Sequence, residues 1–71
     1  MWIRSQNKQY LLKITGVYLG PDKKNLYALP EPQDYLIGTY STEEAALLEL
    51  DAIERWVELG GMGVYQIAKE D

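Results

Sequence analysis

Seventy-one residues make one domain, close to the size at which a single hydrophobic core is only just sufficient, so self-association is a natural route to stability. The chain has no His and no Cys, which removes the commonest general base, the commonest nucleophile, the commonest metal ligands and any disulfide framework. The net charge of −4 is unevenly spread: residues 1–30 carry five cations against Asp22 alone, whereas residues 31–71 carry Arg55 and Lys69 against ten carboxylates.

The opening residues 2–5 have the pattern of a short strand. In a second, longer strand Tyr10, Leu12, Ile14 and Tyr18 alternate with Leu11, Lys13, Val17 and Leu19, so that both of its faces are partly apolar. Gly16 interrupts this run and reads as a bulge. Gly20-Pro21-Asp22-Lys23-Lys24-Asn25 is turn chemistry, followed by a strand over residues 26–29. Pro30 and Pro32 end that strand and predict a loop over residues 31–34; residues 35–40 form a fourth strand that runs directly into a helix.

Ser41 with Glu44 three residues on forms a capping-box pattern, and Glu43 and Glu44 suit the positive end of the helix dipole. Gly60 is the expected left-handed stop residue, giving a helix of about eighteen residues. At about 100° per residue its apolar side chains cover roughly 200°, well beyond the arc that a surface helix needs. Ala46, Leu50, Ile53 and Val57 make one stripe; Ala45, Leu48, Ala52, Trp56 and Leu59 make a second beside it, with no obvious partner in so short a chain. Glu49 falls inside the apolar arc, where a carboxylate must find a cation or a hydrogen-bond donor, or reach outward to water. Asp51 and Arg55, one turn apart, form a favourable surface pair. Residues 64–68 then read as a closing strand. The expected fold is α+β: a small antiparallel sheet of four to five strands, in the order ββββαβ, with the helix packed on one face.

Motifs that carry chemistry are scarce. Gly60-Gly61-Met62-Gly63 follows the helix instead of preceding it, so the dipole there repels phosphate and the glycines read as a cap and connection. The pairs Glu43/Glu44 and Glu54/Glu58 lie on a polar helix face without the oxygen spacing of a calcium loop. Ser5 and Ser41 have no His to activate them. No catalytic, metal or cofactor site is therefore expected, and the chain reads as a non-enzymatic binding module. Six Tyr, two Trp and no Phe give every aromatic a polar tip, and such residues are enriched at interfaces. The candidate interface consists of Leu48, Glu49, Ala52, Trp56 and Leu59, flanked by Asp51, Glu54 and Glu58. Arg4, Lys13, Tyr10 and Tyr18 form a candidate ligand site or secondary interface. The acidic total argues against nucleic acid, since phosphate neutralisation dominates that affinity. No apolar run reaches membrane-spanning length, Arg4, Lys8 and Lys13 interrupt any leader-like start, and a cytoplasmic protein is expected.

The opening Met1-Trp2-Ile3-Arg4-Ser5-Gln6, the segment Leu36-Ile37-Gly38-Thr39-Tyr40-Ser41-Thr42-Glu43-Glu44-Ala45 and the closing Val64-Tyr65-Gln66 resemble small uncharacterised proteins of phages and mobile elements of Gram-positive bacteria. The chain departs from their pattern at Leu48 and Glu49. The resemblance implies an accessory protein that binds a host protein, for instance to block a defence enzyme. Two alternatives stand beside it: a homodimer that sequesters a small ligand such as a nucleotide, and a structural homodimer.

Overall fold

The computed structural model describes residues 1–29 and 33–70. Among these residues, six strands and one helix follow in the order β1 (Trp2–Arg4), β2 (Leu11–Lys13), β3 (Val17–Leu19), β4 (Asn25–Ala28), β5 (Tyr35–Thr39), α1 (Glu43–Glu58) and β6 (Val64–Gln66). The α+β class is as the sequence suggests. The single antiparallel sheet is not: the strands form two three-stranded sheets, β2-β1-β6 and β3-β4-β5, and β6 lies parallel to β1 in the first. Residues 31 and 32 of the predicted loop over residues 31–34 lie outside the described residues.

The division arises where the sequence shows one long second strand. The Ile14 amide still donates to the Met1 carbonyl beside β1 (2.9 Å), but the next amide, of Thr15, donates to the Leu29 carbonyl beside β4 (3.1 Å). Within one residue the chain changes partners and becomes an edge of the other sheet. The turn at Thr15 and Gly16 also shifts the inward parity, from Leu12 and Ile14 before it to Val17 and Leu19 after it. Two apolar faces on one apparent strand are thus one inward face, interrupted by a corner.

Gln6 joins the sheets a second time. Its main-chain amide donates to the Ile37 carbonyl (2.8 Å), its side-chain amide donates to the carbonyls of Thr39 (3.2 Å) and Ala68 (3.1 Å), and its Oε1 accepts from the Thr39 amide (3.0 Å). One side chain thereby supplies the edge of β5 with the bonds of a neighbouring strand. Between the sheets and α1 sits the core: Ile3 from β1, Leu26 and Ala28 from β4, Ile37 from β5, Ala46 and Ile53 from the helix, with Ile14, Tyr40 and Ile67 closing it.

The helix begins one residue later than expected. Thr42 is the N-cap, its hydroxyl accepting from the Ala45 amide (3.1 Å). Ser41, the predicted cap, instead donates its amide (2.8 Å) and its hydroxyl (2.5 Å) to the Glu70 carboxylate, tying the helix start to the segment after β6. A charged acceptor makes the stronger bond, and Thr42 serves the helix equally well. The other end follows expectation: Gly60 has φ 112°, and the amides of Gly60 and Gly61 donate to Val57 and Trp56 carbonyls (both 3.0 Å), the paired bonds of a Schellman motif.

Candidate functional site

The inward line of α1 is Ala46, Glu49 and Ile53, so the first predicted stripe supplies two of the three buried positions while the second stripe lies beyond Glu49 and meets a different fate. On one side the helix is latched to β6. Glu49 is 7% exposed, and its Oε2 accepts from the Tyr65 hydroxyl (2.8 Å) and the Ala68 amide (2.9 Å). Trp56 packs edge-on against the Tyr65 ring, with ring centroids 5.5 Å apart. Glu49 and half-buried Trp56, both predicted in the interface, belong to this latch and are withdrawn from the exposed surface. The carboxylate within the apolar arc is explained by donors from the strand side, which helical periodicity cannot display.

Burial, and then the carboxylate holding its proton, push the Tyr65 hydroxyl well above the usual tyrosine range. The Tyr40 hydroxyl, which donates to the Ala68 carbonyl (2.8 Å), is raised by burial first and by the nearby charges of Glu49 and Glu70 after it. Glu70 is held below the ordinary carboxylate range by the Ser41 hydroxyl and then by the Ser41 amide.

Leu48, Ala52 and Leu59 of the candidate interface lie on open surface, Leu48 at 69% and Leu59 at 82% exposure. With Arg55 they fall on one line at spacings of four, three and four residues, the seam spacing by which a helix meets another element. Asp51, Glu54 and Glu58 are exposed on the same helix, giving the apolar line an acidic flank.

On the side of α1 away from the latch, the helix and the strand corner stand apart and leave an open groove of about 650 Å³. Its floor is Ile14, Val17, Leu50, Ile53 and Val57; its charged lining is Asp51 and Glu54, both from the helix. The sequence reading missed this feature, although Gly16, which lines the groove at the corner, was its one signal. Such a volume and apolar lining lie in the range of ligand and anchor-side-chain sites.

The second predicted cluster is divided. Arg4 and Lys13 do share the outer face of the first sheet, on paired strands where Trp2 lies opposite Lys13 and Leu11 opposite Arg4. Tyr10 instead packs against Tyr35, centroids 6.0 Å apart, and Tyr18 belongs to the other sheet, stacked on Tyr27 at 5.5 Å with its hydroxyl donated to Asp34 (2.6 Å). That bond, then burial, raises the Tyr18 hydroxyl above its ordinary value. Internal hydrogen bonds at Tyr18, Tyr40 and Tyr65 thus employ half of the tyrosine tips predicted for interface use.

Among the described residues no group of three or more acidic side chains is placed to hold a metal ion, and no helix is long and apolar enough to cross a membrane. Comparison with protein families, with curated proteins and with solved structures finds no match to this chain.

Proposed function

We propose that this protein is a non-enzymatic interaction module that docks a partner protein on the outer line of α1. The observation that carries the reading is the line Leu48, Ala52 and Leu59, apolar and solvent-facing on a helix whose inward face is already filled. Isolated exposed leucines are ordinary on protein surfaces, but an aligned series at seam spacing with an acidic flank suits a partner helix or sheet with basic margins. Glu49 and Trp56 serve this surface indirectly by fixing the helix to β6. The resemblance of the opening, middle and closing segments to phage and mobile-element proteins supports a setting in the host cytoplasm, with a host protein as partner and inhibition of a defence complex as its use.

The nucleotide-sequestering alternative is less well supported. The groove's charged lining is acidic, which disfavours phosphate, and Arg4, Lys13, Tyr10 and Tyr18 do not converge on one hollow.

The test is capture from a Gram-positive host lysate on immobilised protein, with wild type beside the double variant Leu48→Glu/Leu59→Glu. The reading expects a specific partner held by wild type and lost from the variant. Equal capture by both, or capture by neither, contradicts it.

A further inference from the structure

We infer that the partner docks as an extended segment, pairing its main chain with the free edge of β6 and laying alternate side chains on the outer line of α1. The inference rests on the docking reading above and adds the form and the charge of what docks.

Hydrogen-bond direction defines the edge. In the parallel pairing of β6 with β1 the Ile67 amide donates to the Arg4 carbonyl (3.0 Å). By strand alternation Tyr65 also turns its main-chain groups towards β1, and Val64 and Gln66 turn theirs away. β6 is the last strand of its sheet, and among the described residues no group takes up the amides and carbonyls of Val64 and Gln66. Neighbouring edge groups are satisfied. Gln6 serves the edge of β5, and Ala68, the next outward-facing residue after Gln66, gives its amide to Glu49 and accepts from Gln6 and Tyr40 at its carbonyl. Residues 64–68 carry no charge and no proline, the usual means of keeping an edge from pairing.

The edge and the helix line form one surface. Trp56 packs on Tyr65 of β6, and Ala52 and Leu59 lie one turn before and after Trp56, with Leu48 a turn further back, so the line runs along the β6 side of α1. The Ala68 amide on Glu49 shows that the outward side of β6 leads to this helix. Free main-chain donors and acceptors call for a strand, and every second side chain of an added strand points to the helix side. Charge then selects the occupant. Asp51, Glu54 and Glu58 flank the line, and Arg55 is the one cation on α1. A second copy paired through β6 brings two such acidic flanks together, which like charge opposes. Arg or Lys at the helix-facing positions of a foreign segment lays its apolar stem over the leucines and carries its head to the carboxylates.

The experiment follows amide shifts and hydrogen exchange of the full chain titrated with the peptide Thr-Arg-Thr-Val-Thr-Arg-Thr, beside its analogue with Glu for Arg and a Leu/Lys amphipathic helical peptide. The expected result is binding of the Arg peptide alone, weakening as salt rises, with exchange at Val64 and Gln66 slowed about tenfold or more at saturation. Val64→Pro removes one outward amide and spares the bonds to β1; once circular dichroism shows it folded, it should bind about tenfold more weakly. The exchange measurement on wild type stands whether or not that variant folds. Failure of the Arg peptide to bind up to millimolar concentration overturns the inference. Binding of the helical peptide at Leu48, Ala52 and Leu59 with exchange at Val64 and Gln66 unchanged also overturns it, while leaving docking on the helix line intact. Protection of those two amides that grows with protein concentration, without peptide, is the mark of a second copy and overturns it too. Protection by the Arg peptide that is undiminished in Leu48→Glu/Leu59→Glu shows the edge at work without the helix line, and removes the docking reading and this inference with it.

Discussion

The two sides of α1 both carry apolar side chains and are finished differently. Towards β6, Trp56 and the aliphatic part of Glu49 are closed over by Tyr65, and the one polar group that comes with them is satisfied by a phenol and a backbone amide. Towards the strand corner, Leu50 and Val57 meet Ile14 and Val17 across an open groove, with Asp51 and Glu54 left at its edge. A helix side closes within a small domain when a strand delivers both area and matching hydrogen bonds. Where the chain turns a corner instead, that surface stays open.

Breaking the latch is the most damaging way to disturb this contrast. Glu49→Ala leaves the Tyr65 hydroxyl and the Ala68 amide without their acceptor, and the expected loss is about 3 kcal/mol, a large part of the stability of a domain this size. Urea unfolding of the variant measures it. Tyr65→Phe removes one of the two bonds and leaves the Ala68 amide on Glu49, so about 1–2 kcal/mol is expected in the same assay. Glu49→Leu belongs with the first: added apolar volume does not replace an acceptor for two buried donors, so the variant falls below wild type.

A smaller effect is expected with pH. Tyr65 and Tyr40 hold their protons more tightly in the folded protein than in the unfolded chain, where tyrosine ionises near about 10. Their contribution is complete below that value and is lost as pH rises beyond it towards the folded-state values. Thermal unfolding followed between neutral pH and pH 11 should therefore show Tm falling above about 10, and Tyr65→Phe should flatten part of that fall. A Tm that is level through this range in wild type would count against the buried hydroxyls.

The helix and the strand positions were legible in the chain, neither side of this contrast was, and the missing portion has a definite cause. The helix could be read because its periodicity, its acidic first turn and its Gly60 stop are local properties, and only the cap moved, from Ser41 to Thr42. The strand positions were also local. Their assignment to sheets was not: the change of partner between Ile14 and Thr15 depends on Met1 and Leu29, on either side of the turn-rich segment. The parallel pairing of β6 with β1 joins the two ends of the chain, and no periodicity within either strand encodes it. Glu49 shows the same limit at a single residue. Its position in the apolar arc was evident, whereas the donors that make it a latch come from Tyr65 and Ala68 across the fold. Leu48 and Leu59 were legible as one helix stripe, and the inward line at Ala46, Glu49 and Ile53 is what leaves that stripe outside.

The most direct test of the central claim, that the outer line of α1 is surface held ready for a partner, is urea unfolding of Leu48→Glu/Leu59→Glu beside Glu49→Ala. The account predicts a midpoint for the double variant close to wild type, as for surface substitutions, while Glu49→Ala unfolds at markedly lower urea. A double variant that loses as much stability as Glu49→Ala would show those leucines to be core and contradict the account.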